Sequence, residues 1–282
     1  MMRVGRIRYL NCAPVYGAVD RGIVSLDGEL VTGVPSELNR GMAAGAIDVS
    51  VVSAVAYARD AGRYLLLPDL AISCDGEVRS VMLFSTRPAQ ELTGERVLVT
   101  RSSMTSVALL ELLFEQVWKA KPVFVPGDAE ADDLRRDQSP VAARLVIGDA
   151  ALMLRHKEHP VAAAHGRSYP HVYDLGAEWK AWTGLPFVFA VWVARREASV
   201  RDALQVHGAL IESRNWGLSN LTRIAEDAAP VCQLPAPVIH EYLAGLDYGL
   251  GLEYLEGLSE FFRRLELAGK VPQGKLVFLP AA

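Results

Sequence analysis

The chain has 282 residues, 51% of them hydrophobic and 22% charged, enough apolar material for two ordinary cores and too much for a disordered chain or a coiled-coil rod. Its 29 Lys and Arg against 33 Asp and Glu give a net charge of −4, without the basic surplus that binding to nucleic acid or an anionic membrane requires. Cys12, Cys74 and Cys232 stand far apart, which supports neither a disulfide framework nor a zinc site and fits a reducing compartment. Val4 to Leu10, Glu29 to Val34, Ile47 to Val52 and Tyr64 to Leu67 read as strands by β-branched content and length. Between them Pro35-Ser36-Glu37 opens a helix with Ser36 as its N-cap, Gly45 closes it, and Ser53 to Asp60 forms another short helix. This order predicts a mostly parallel sheet with helices on its faces.

A second such unit follows. Arg96 to Thr100 is a strand, and Thr105 to Lys119 is a buried helix carrying Val107, Leu110, Phe114 and Val117 on one stripe. Pro122 to Val125, Arg144 to Ile147, His171 to Leu175 and Phe187 to Val193 read as further strands. Beyond Ser199 the pattern is helical to the end, with Leu255, Leu258, Phe262 and Leu265 on the stripe of Leu252 to Ala268 and Gly269 as its C-cap. A helical last third without strands must pack on a sheet already formed, which makes the middle of the chain an insertion. The expected architecture is α/β, with residues 1–84 and 190–282 as one domain, 85–189 as the second, and a ligand cleft between them. Arg3, Arg6 and Arg8 interrupt the N-terminal apolar stretch, and the longest apolar run, Leu185 to Ala194, is about half of the ~20 residues a membrane helix needs. A cytoplasmic chain is expected.

Open sheets place ligands at strand ends, so the strand-to-helix turns are the candidate site. They are Tyr9-Leu10-Asn11-Cys12-Ala13-Pro14, Ser53, Val78-Arg79-Ser80-Val81, Ser102-Ser103-Met104-Thr105-Ser106 and Ile147-Gly148-Asp149-Ala150. Four hydroxyls between Ser102 and Ser106 at a helix start suit a carboxylate or phosphate, although ordinary capping needs one of them. Asn11 carries donors and an acceptor and fits a ligand contact or a turn equally well. Ser80, from the residues alone, reads better as a strand serine bonded to backbone.

Other candidates are weaker. His156, His159, His165 and His171 crowd one segment, but Pro160 interrupts it and no familiar metal-ligand set is completed, so no metal is expected. Trp179 and Trp182 suit core or hinge packing better than a pocket wall. Arg79 and Arg101 flank candidate turns, as carboxylate clamps or as solvated surface residues. Phosphate-loop, dinucleotide and serine-hydrolase motifs are absent.

Taken in order, Tyr9-Leu10-Asn11 with Pro14, Asp48-Val49-Ser50 with Ser53-Ala54-Val55-Ala56-Tyr57, Ser80-Val81, Ser103 with Thr105-Ser106, Ile147-Gly148-Asp149-Ala150-Ala151, and Asp174-Leu175-Gly176 with Trp179 and Thr183-Gly184-Leu185-Pro186-Phe187 closely resemble the chorismate dehydratases of the futalosine route to menaquinone. The likeness is strong from residue 5 to about 195 and looser to 268. It implies a two-domain periplasmic-binding-protein-like type II fold and a dehydration that gives 3-(1-carboxyvinyloxy)benzoate, with no cofactor and no metal. It implies Asn11 and Ser80 as the catalytic pair, and substrate contacts from Ser53, Ser103, Thr105, Ser106, Gly148 and Asp149. The substrate is a small dicarboxylate, with neither nucleic acid nor membrane as partner, and the chain is expected to be a monomer or homodimer. Two alternatives share the fold: a solute-binding protein for a small carboxylate, which should carry an export signal, and 1,4-dihydroxy-6-naphthoate synthase, expected to use a cleft histidine. The histidines here avoid the strand-end turns.

Overall fold

The apolar runs of the sequence become strands covered on both faces: Val49–Ser53, Val81–Ser85 and Ala143–Ile147 are buried at every residue. The structure is a computed structural model that describes residues 1–129, 141–156 and 169–280. Strands β1 (Met2–Ile7), β2 (Gly28–Gly33), β3 (Val49–Ser53), β4 (Tyr64–Cys74), β5 (Val81–Ser85), β6 (Arg96–Thr100), β7 (Val123–Gly127), β8 (Ala143–Ile147), β9 (His171–Asp174) and β10 (Phe187–Arg195) form two five-stranded sheets, ordered β2-β1-β3-β10-β4 and β7-β6-β8-β5-β9. Helices α1 (Ala13–Asp20), α2 (Pro35–Ala43), α3 (Ala54–Arg59), α4 (Met104–Leu113) and α5 (Gly148–Arg155) each follow a strand.

The expectation of mostly parallel sheets holds for four of the five strands in each sheet, and one strand in each runs the other way. In the first sheet β1 runs parallel to β2 and β3, but β10 runs antiparallel to β3 and β4. In the second, β6 is parallel to β7 and β8, while β5 is antiparallel to β8 and β9. The antiparallel strands are the ones by which the chain enters or leaves a sheet. Such a strand arrives from the other lobe and needs no crossover helix, so the constraint that keeps βαβ units parallel does not act on it. The chain passes between lobes at 75–80 and again at 184–186, a few residues before the expected boundaries, because β5 already pairs in the second sheet and β10 already pairs in the first.

Asp174 ties the first crossing to the start of helix Leu175–Thr183, which leads into the second. Its buried carboxylate accepts hydrogen bonds from the backbone N–H groups of Val78 (3.0 Å), Arg79 (2.6 Å), Gly176 (3.0 Å) and Ala177 (3.2 Å). Trp179 packs beside this joint. It is fully buried, stacks edge-on against Phe187 and Phe261, and donates its indole N–H to Pro186 O at 3.1 Å. Trp182 lies against the Arg264 guanidinium, 3.8 Å from its ring centre. Both tryptophans therefore pack the hinge.

The last third rests mainly on the first sheet and its helices. Helix Val200–Ser219 lies along α1 and touches β4, and Gly217 lets the two helices meet so closely that a Cβ there would fall 2.1 Å from Pro14 O. Helix Leu252–Leu267 crosses β10, α3 and α4. The tail is not helical to the end. Leu66 N–H donates to Val277 O and Leu66 O accepts from Leu279 N–H, both at 2.8 Å, so the tail runs beside β4 as an added strand-like segment. The helix at Pro35 also starts two residues earlier than the sequence suggested. Val34, not Ser36, is the N-cap, because Pro35 takes the first helical position and Glu37 accepts from Val34 N–H at 3.1 Å.

Candidate active site

The strand ends of the two lobes face one another across a cleft whose empty space, open solvent included, is about 560 Å³. Ile7, Ile72, Val78, Val81, Ile147 and Phe189 form its apolar walls, and Asn11, Ser53, Ser80, Ser103, Ser106 and Gly148 supply its polar surface. No charged side chain among the described residues lines it. A carboxylate bound here is met by hydroxyls, amides and helix starts.

Asn11 sits in a single helical turn, Leu10–Cys12, that follows β1. Its Oδ1 is buried in the cleft wall without a hydrogen-bond partner. A buried carbonyl oxygen left unpaired is costly unless a ligand supplies the donor. Cys12 beside it also lines the cleft, but burial pushes its thiol up to about 12, so it is neutral at physiological pH and no thiolate nucleophile. Ser80 closes the crossing into β5 and is 1% exposed. Its Oγ donates a long bond, 3.4 Å, to Val78 O, and its carbonyl accepts from Gly148 N–H at 2.7 Å.

The helix start at Met104 divides the four hydroxyls. Ser103 is the N-cap, accepting from Ser106 N–H at 3.2 Å, and its Oγ reaches Ser106 Oγ at 2.9 Å; both face the cleft. Thr105 does not. It is buried and accepts from Val55 N–H at 3.1 Å, pinning the start of α3 to the start of α4. Ser102 lies outside the cleft wall. Ser53 faces the cleft but already caps α3 through Ala56 N–H, and Asn39 Nδ2 donates to it at 3.3 Å. Asn39, which sequence reasoning did not single out, also reaches Met104 Sδ at 3.6 Å and so bridges the lobes. Its one signal was a poor helix former inside a short helix.

Asp149 stands behind the wall. Its Oδ1 accepts from Leu10 N–H at 2.9 Å and holds the turn that carries Asn11. Burial raises its carboxyl to about 6, against the partial relief of that backbone hydrogen bond. A carboxyl raised on folding favours the folded state fully below about pH 4, the unfolded value, and loses that contribution as pH rises through 6. Asp149→Asn keeps the acceptor and removes the charge. The melting temperature of the variant relative to the parent is therefore expected to be higher at pH 7 than at pH 4. A difference independent of pH would show that Asp149 ionises freely.

Arg79 and Arg101 do not reach the cleft wall. Arg79 pairs with Glu241 at 2.8 Å and Glu77 at 3.4 Å, and Arg101 donates to Pro126 O at 3.1 Å. Among the described residues no three His, Cys, Asp or Glu side chains gather as metal ligands do. His159 and His165 lie outside the described residues. No helix among the described residues is long and apolar enough to cross a membrane.

Two mixed sheets joined by paired crossings, with a polar cleft between the lobes, define a periplasmic-binding-protein-like fold. Solved structures agree: a protein from Archaeoglobus fulgidus superposes with a TM-score of 0.72 at 21% identity, covering 96% of this chain and 98% of that one. The alkanesulfonate-binding protein SsuA from Xanthomonas axonopodis superposes at 0.66 and 15% identity, covering 98% and 96%. The chain belongs to the menaquinone biosynthesis family, whose model matches residues 2–267. It is 34% identical over 271 residues to a chorismate dehydratase of Thermus thermophilus, spanning 94% of this chain and 95% of that protein. A chorismate dehydratase of Campylobacter jejuni is 28% identical over 195 residues, 67% of this chain and 66% of the relative.

Proposed function

We propose that the protein is a chorismate dehydratase, a hydro-lyase that converts chorismate to 3-(1-carboxyvinyloxy)benzoate and water on the futalosine route to menaquinone. The near full-length match to a named chorismate dehydratase carries the reading. The chemistry of the cleft supports it. Chorismate is a dianion on a cyclohexadiene ring; loss of the ring hydroxyl and of the hydrogen on the ether-bearing carbon makes the ring aromatic. Aromatisation supplies the driving force, so the protein must chiefly hold the ring and its carboxylates in one geometry.

One carboxylate rests on Ser103 and Ser106 at the start of α4, where free N–H groups and the helix dipole favour an anion. The unpaired Oδ1 of Asn11 accepts a hydrogen bond from the departing hydroxyl and fixes its direction. Ser80 donates to the same oxygen as negative charge builds on it. The substrate's own carboxylate takes the ring proton and passes it to the departing oxygen, which leaves as water, since no basic side chain lines the cleft among the described residues. The protein works without a cofactor in the cytoplasm, as a monomer or homodimer.

Incubation of the purified protein with chorismate, followed by chromatography, tests this. The expected result is catalytic conversion to one aromatic product. Chorismate recovered unchanged from a folded protein that binds it would make the chain a solute-binding protein instead.

A further inference from the structure

Helix Ala236–Ala244 brings a side chain to the site that none of the motifs contains. Tyr242 is 2% exposed, does not line the cleft, and its hydroxyl is buried without a hydrogen bond. The side chain that approaches this hydroxyl is Ser80. Burial holds the phenol well above its ordinary range, so it is a neutral donor with one proton to place. Its neighbours offer few acceptors. Asp149 Oδ1 already serves Leu10 N–H, whereas Ser80 Oγ has two lone pairs and spends its proton on a long bond within its own turn.

We propose that Tyr242 is a positioning residue that donates its hydroxyl proton to Ser80 Oγ and thereby turns the Ser80 proton away from Val78 O and into the cleft. This rests on the dehydratase reading for its purpose, since the Ser80 proton is then aimed at the oxygen that leaves. No proton is transferred from Tyr242 in the cycle; two hydroxyls in series polarise one another, so the Ser80 O–H becomes the better donor. Tyr248, the other phenol buried without a hydrogen bond, neighbours Tyr242 and serves as the control.

The test combines kinetics with a measurement that needs no turnover. Tyr242→Phe is expected to lower kcat by about tenfold, the lower end for groups that orient a functional residue, with KM unchanged. In a Ser80→Ala background the same substitution should cost nothing further, because the effect travels through Ser80. Tyr248→Phe should leave kcat unchanged. Independent losses from Tyr242→Phe and Ser80→Ala would overturn the proposal. In protein labelled with 13C at the tyrosine ζ carbon, the Tyr242 resonance, assigned by its loss in Tyr242→Phe, should move in Ser80→Ala. An unmoved resonance would show that the hydrogen bond does not exist. Should the parent protein leave chorismate intact, the dehydratase reading falls while the resonance still decides the contact.

Discussion

Replacing Asn11 with Leu is expected to leave a folded protein whose turnover of chorismate falls by about 10²-fold or more, the scale of losing one preorganised polar group in a catalytic site. Leu is close to Asn in size, so the apolar wall around it is kept. The folded protein gives up no hydrogen bond at Oδ1, because that atom has no partner within the chain. Stability should therefore change little, and removing an unpaired buried carbonyl offsets part of any loss at the turn. Binding should suffer less than turnover. The carboxylates are held elsewhere, at Ser103 and Ser106, whereas Asn11 aligns the hydroxyl for departure, a role felt mainly in turnover. Kinetics together with titration calorimetry separate the two effects. Near-normal turnover in a folded Asn11→Leu protein would remove Asn11 from the chemistry and leave Ser80 as the polar centre of the cleft.

Gly148→Val should be the most damaging single change at the cleft wall. Gly148 adopts φ of +62°, where a β-branched residue is strained by about 1–3 kcal/mol. A Cβ there would also stand 3.2 Å from several atoms of the Tyr9 ring, before the valine methyls are added. Tyr9 itself lines the cleft, so relief of the contact pushes an aromatic ring into the space reserved for the ligand. Gly148 also donates its N–H to Ser80 O, and a shifted backbone disturbs Ser80. Urea unfolding should show the loss of stability, and turnover should fall at least as far as in Asn11→Leu. A variant of parental stability and activity would mean that Tyr9 and Gly148 do not meet in the working protein.

Much of this site was legible because strand ends announce themselves. Tyr9 to Pro14, Ser53, Ser103 and Gly148 stand where an apolar run stops and Ser80 where one begins, and the fold gathers those ends at one cleft. What the sequence could not show was how each polar group is spent. Thr105 and Ser106 look alike in the motif, yet one ties α3 to α4 and the other faces the ligand, a difference set by the facing residue Val55. Asp149 reads as a ligand contact but supports the Asn11 turn from the opposite lobe. Strand direction was similarly hidden. Alternating strands and helices predicted parallel pairing, and nothing local to Val81–Ser85 or Phe187–Arg195 says that these strands enter from another sheet and run antiparallel. Tyr242 was invisible for a related reason, since a tyrosine on a C-terminal amphipathic helix looks like ordinary core until the helix is docked behind Ser80.

A crystal structure of the slow Asn11→Leu protein with chorismate tests the central claim most directly. The account predicts unreacted chorismate in the cleft, one carboxylate against Ser103 and Ser106, and the ring hydroxyl beside residue 11 and Ser80. Chorismate bound outside this cleft, or turned so that its hydroxyl faces away from Ser80, would contradict it.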